Sequence, residues 1–112
     1  MDDVAPSRAE GMSAQIGVTG RFSASHRDPL NGALHGHDYV VTAWFDASVY
    51  RDGRVHEVGL NEVLKAHFDH RELPTELHSM EAIRDRLLQL VPNVDDIDVE
   101  RPVIGFKLRG RS

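Results

Sequence analysis

Three of the chain's seven histidines, His26, His35 and His37, fall within twelve residues. Successive side chains on an extended strand point to opposite faces. His35 and His37, separated by Gly36, therefore present both imidazoles on one side, and an antiparallel neighbour would bring His26 opposite them. Three neutral nitrogens with one open position is the arrangement of a catalytic zinc, whereas structural zinc is normally closed by four protein ligands. The competing reading of the same string is three surface or core histidines that bind nothing.

The rest of the composition narrows the field. At 112 residues the chain is read as one domain, with 40% hydrophobic and 28% charged residues, as in an ordinary globular protein. A net charge of −5 argues against nonspecific binding to nucleic-acid phosphate, and the short basic tail Lys107, Arg109, Arg111 does not reverse it. No stretch approaches a membrane span and no signal-peptide core is visible, so a cytoplasmic location is expected. There is no cysteine, hence no disulfide, thiolate ligand or thiol nucleophile. Residues 1–14 are expected to be a flexible lead-in to a single domain over 15–112.

The elements that must position the histidines can be read from periodicity. Gln15 to Ser25 reads as a strand, and Arg27-Asp28-Pro29-Leu30-Asn31-Gly32 as a loop rich in turn residues. From Gly36 to Tyr50 the pattern alternates, with Tyr39, Val41, Ala43 and Phe45 on the buried side. A turn at 51–54 and a brief strand from Val55 to Val58 are expected next. Leu60, Val63, Leu64 and Phe68 have helical spacing, with Asn61 as a candidate cap. A polar connection from Arg71 to His78 leads to Ser79 as N-cap, with Glu81 near the positive helix end. Met80, Ile83, Leu87 and Leu90 form the second helical stripe, ending near Pro92. Asp96–Glu100 and Val103–Leu108 read as closing strands around Pro102. Trp44 is expected in packing, and His56 and His67 at solvent or an interface.

Several strings, in order, resemble the 6-pyruvoyltetrahydropterin synthase family, which includes the 6-carboxytetrahydropterin synthases. Phe22-Ser23-Ala24-Ser25-His26 and Leu34-His35-Gly36-His37-Asp38-Tyr39 resemble its two zinc motifs. Leu64-Lys65 followed by Asp69-His70 resembles its helix and Asp-His pair. His78-Ser79-Met80-Glu81 is similar to its Pro-Thr-x-Glu helix start, and Ile97-Asp98-Val99-Glu100 to its late strand ending in a pterin-anchoring glutamate.

The resemblance implies an α+β tunnelling fold. Each ββααββ subunit carries an antiparallel sheet with two helices on one face, and the subunits join into a barrel. It implies a homo-oligomer, commonly a hexamer, with active sites at subunit boundaries, Zn2+ as cofactor, and a small-molecule substrate rather than nucleic acid or membrane. It further implies Asp69 and His70 as proton-transfer residues, and Glu100, Asn31 and Glu81 around the substrate. Asn31 stands where the family has its catalytic cysteine, and Asp28 on the same loop is the candidate replacement base. The expected function is a zinc-dependent lyase acting on a dihydroneopterin-like or related polyol-bearing heterocycle by elimination, retro-aldol or isomerisation chemistry. The alternatives are a non-catalytic pterin- or metal-binding member, or a biosynthetic enzyme with a non-pterin substrate.

Overall fold

A computed structural model of the chain describes residues 14–47, 53–102 and 106–108. The expected lead-in through residue 13, the continuation of the second strand to Tyr50, the start of the turn at Arg51, Val103 and the tail beyond Leu108 lie outside these residues.

Two 13-residue strands, β1 (Gln15–Arg27) and β2 (Leu34–Asp46), form one long antiparallel hairpin. Gly20 pairs with Val41, Phe22 with Tyr39, Ala24 with His37 and His26 with His35. Partners directly opposite share a face. The inner face thus carries Phe22, Ala24, Tyr39, Val41, Ala43 and Phe45, all buried as the alternation predicts. On the outer face Trp44 lies against Gly17, where an added Cβ would come within 2.6 Å of the indole. Its Nε1–H donates to Asp98 at 3.1 Å.

The first helix, α1 (Gly53–His67), begins well before the expected boundary. The turn and strand expected over 51–58 are corrected where described: Val55 to Val58 is helical. His56, Leu60 and Leu64, spaced four apart, are its buried stripe, and Val55 and Val58 are about half exposed. Tertiary burial of that stripe overrides the strand preference of two valines. Asn61 is therefore interior to the helix rather than its cap. His56 is not at solvent either. It is buried, and its ring stacks on Phe45 at 3.8 Å.

The connection after α1 is more ordered than its polarity suggests. Arg71–Glu72 forms a short β3 and Thr75–Leu77 one turn of 3-10 helix. β3 pairs with β1 in parallel, Ala24 with Arg71 and Ser25 with Glu72, so the sheet is mixed and the wholly antiparallel expectation is corrected. The reason is the direction of travel. α1 carries the chain back toward the hairpin loop, and β3 continues that course along the β1 edge.

Ser79 caps α2 (Met80–Leu90), its hydroxyl accepting from the Ala82 amide at 3.0 Å. Ile83 and Leu87 are its buried residues. β4 (Asp96–Arg101) pairs antiparallel with β2, and β5 (Phe106–Leu108) antiparallel with β4. The strand order is β3-β1-β2-β4-β5. Both helices contribute to one core with Phe68, Leu73, Leu77, Val91, Ile97 and Val99, an α+β arrangement with one covered face.

Gly20 is the notch that lets α1 approach the sheet: a Cβ there would meet Leu64 Cδ1 at 2.8 Å and Asn61 Oδ1 at 2.9 Å. Leu64 is fully buried and has little room to retreat. Gly20→Ala should destabilise the protein by about 1–3 kcal/mol, and Ser79→Ala by about 1 kcal/mol. Urea unfolding of the two variants checks both values.

Candidate metal and active site

The inner row of the hairpin is apolar over the core and turns to imidazole at its loop end. Phe22 and Tyr39 stack at 4.6 Å, and His37 meets the Tyr39 ring edge at 6.1 Å. Beyond them His26 faces His35 across the ladder. The ring centres of His26 and His37 are 4.9 Å apart, and His35 lies 6.2 Å from each. The Nε2 atoms of His26 and His37 are 2.9 Å apart, so one ring donates and the other accepts. That contact suits neutral imidazoles.

Their environment favours the neutral form. Burial lowers the pKa of His26, with further lowering from His78, Arg101 and His35. Burial also lowers that of His37, followed by Arg101, His26 and His35. His26 Nδ1 is buried without a hydrogen-bond partner. A metal ligand must offer an unprotonated nitrogen, and this surrounding supplies that condition.

The hairpin loop is closed on itself. The Asp28 amide donates to the Ala33 carbonyl at 2.8 Å, and the Gly32 amide to the Asp28 carbonyl at 2.8 Å. Gly32 has φ +72°, the left-handed region that favours glycine. Asp28 Oδ1 accepts from the Leu30 amide at 2.7 Å, and Asn31 Oδ1 from the Ala33 amide at 2.9 Å. Both are Asx turns. Asp28 Oδ2 lies 3.3 Å from His35 Nε2. Asp28 is thus brought to the histidines as the partner of His35, while the Asn31 side-chain oxygen is occupied by the loop.

Asp69 and His70 follow α1 and clip onto β1. The Ser23 amide donates to Asp69 Oδ1 at 2.9 Å, and the His70 amide to the Ser23 carbonyl at 2.6 Å. Asp69 Oδ2 is 2.9 Å from His70 Nδ1, and the His70 side chain is 83% exposed. The Ser23 amide above all holds the Asp69 carboxyl below its usual range, opposed by burial and helped by His70. The Ser23 hydroxyl donates to Asp38 Oδ1 at 2.5 Å. A cavity of about 500 Å3 borders Ser23, His37, Asp38, His70 and Arg101. It brings one member of the trio, His37, and the exposed ring of His70 to a common space.

Two expected substrate residues do not join them. Glu100 pairs with Val40, on the sheet face opposite the trio. Glu81 is exposed in the first turn of α2. Two residues were missed instead. Arg101 follows Glu100 and alternates back to the inner side, which the β4 pattern could have revealed. The His78 ring stands edge-on to His26 at 5.1 Å, a tertiary contact with no signal in spacing.

The donor chemistry fits a borderline-soft divalent ion such as zinc, which favours imidazole nitrogen. Among the described residues, no three His, Asp or Glu side chains are arranged as they stand to hold a metal ion. The outlying member of the trio is His35, whose Nε2 is engaged by Asp28. Its side chain is 43% exposed.

A lowered histidine pKa sets the sign of a pH effect. The unfolded chain takes up protons near pH 6.5 while folded His26 and His37 resist until lower pH. Their contribution to stability is therefore present above about pH 6.5 and is lost as pH falls below it. Asp69 adds a separate loss only as pH falls through and below 3.8. Metal-free protein should melt at a lower temperature at pH 5.5 than at pH 7.5. His37→Gln should reduce that difference, as thermal unfolding in matched buffers would show.

No protein-family model and no curated protein matches this chain.

Proposed function

We propose that this chain is a zinc-dependent lyase-type enzyme akin to the 6-pyruvoyl- and 6-carboxytetrahydropterin synthases. Its substrate would be a dihydroneopterin-like or related polyol-bearing heterocycle. The observation that carries the reading is the register placing His26 and His35 opposite each other on the face that also bears His37. The cavity shared by His37 and His70 supports it. Metal ligation falls to His26, His35 and His37. When bound, the ion would supply Lewis acidity that lowers the pKa of a substrate hydroxyl and stabilises developing oxyanion charge.

The remaining work falls to the chain. Asp69, kept ionised by the Ser23 amide, accepts from His70 Nδ1 and leaves the Nε2 lone pair of that ring as a base. The exposure of His70 makes that nitrogen reachable from the cavity. Arg101 at the cavity wall suits an oxygen-rich or anionic substituent. Glu100 would anchor the amide-like edge of a pterin. Because it faces away from the trio, it would serve a neighbouring copy in the proposed tunnelling-fold barrel, a homo-oligomer and commonly a hexamer. Among the described residues, β3 pairs with Ala24 and Ser25 of the β1 edge, and pairing between copies would cover more of it.

One observation favours a second reading, a pterin- or metal-binding chain without turnover. Asn31, which stands at the position of the missing thiol, and Asp28, the candidate replacement base, both spend side-chain oxygens on the loop.

Metal analysis should find about one zinc per chain, lost in His26→Ala. Incubation with dihydroneopterin triphosphate followed by mass spectrometry should show conversion. His70→Gln should slow it roughly 10²–10⁴-fold while retaining the metal. Binding without conversion would select the second reading, and absence of both metal and pterin binding would overturn both.

A further inference from the structure

We propose that His78 is an additional ligand of the same ion, so that four imidazoles close on it before substrate arrives. The proposal rests on the metal reading above and adds a residue that the histidine spacing did not suggest.

Ring separation is the first observation. Two imidazoles bound at about 2.0–2.1 Å to one tetrahedral ion have centres about 5 Å apart. The His26–His37 and His26–His78 separations are 4.9 and 5.1 Å, whereas His35 stands 6.2 Å from both His26 and His37. His26 is the hub, and by this measure His78 is nearer to it than His35.

The second observation is the tautomer. His78 Nε2 lies 3.2 Å from the Leu73 carbonyl oxygen. A carbonyl only accepts, so Nε2 carries the proton and Nδ1 keeps its lone pair. A metal-bound histidine commonly donates its second nitrogen to a backbone carbonyl, which fixes the ring and raises ligand basicity. His78 already makes that bond.

The third is anchorage. His78 follows the 3-10 turn, its amide donates to the Thr75 carbonyl at 3.2 Å, and Ser79 starts α2. Leu73 and Leu77 on the same segment are buried in the core. The ring is thus carried by fixed backbone. The consequence is a closed resting site, because four protein ligands leave no open position. A substrate oxygen would then have to compete with these imidazoles for the ion.

Cobalt(II) as a spectroscopic stand-in tests this without reference to turnover. The wild-type Co2+ protein should show a four-coordinate visible spectrum unmoved by azide. In His78→Gln the amide nitrogen can still donate to Leu73, but the Nδ1 ligand is gone. That variant should bind Co2+ about 10–100-fold more weakly and change its spectrum on adding azide. Unchanged affinity, spectrum and azide response in His78→Gln, alongside loss in His37→Gln, would overturn the role of His78 and spare the metal reading. Failure of the wild-type protein to bind Co2+ would overturn both. Should His78→Gln not fold, imidazole ¹⁵N NMR of the wild type decides: a zinc-induced shift at His78 Nδ1 supports the proposal, and an unmoved resonance overturns it.

Discussion

The pairing of β1 with β2 is the constraint from which the other features follow. One alignment places Phe22 against Tyr39 in the core and His26 against His35 at the loop end. A slip of a single residue would send every inner side chain of one strand to the opposite face. The aromatic stack and the packing over Gly20 would be lost with the histidine cluster. Core stability and site assembly are therefore one interaction seen at two points along a ladder. The self-closed loop at 28–33 reinforces the same alignment from its end.

Burial accounts for the character of the cluster. A row of side chains leaving an apolar core meets falling dielectric constraint as solvent approaches, and histidine suits that boundary because its neutral form costs little to desolvate. His26 and His37 are pushed toward that form mainly by burial, with Arg101 and the neighbouring imidazoles adding to it. Arg101 contributes to the same push, which makes it part of the electrostatic setting and also part of the cavity wall.

The features legible in the sequence were those governed by local period. Alternation from Tyr39 to Phe45, the stripe of α2 and the Ser79 cap each depend on neighbours within a few residues. The facing of His26 and His35 was legible because a hairpin with a short loop permits few registers. The start of α1 was not, since Val55 and Val58 favour strands and only burial of His56, Leu60 and Leu64 decides the matter. β3 was hidden because two polar residues carry no pattern. The approach of His78 to His26 was hidden for a deeper reason: it joins positions 52 residues apart through the packing of Leu73 and Leu77.

His70 has φ +58°, a left-handed backbone that costs an L-residue roughly 1–2 kcal/mol and glycine almost nothing. A chain tuned only for folding would place glycine there. Keeping an imidazole on a bent, solvent-facing corner sacrifices local comfort for reach, since a ring on this reversed backbone projects outward while its amide stays tethered to Ser23.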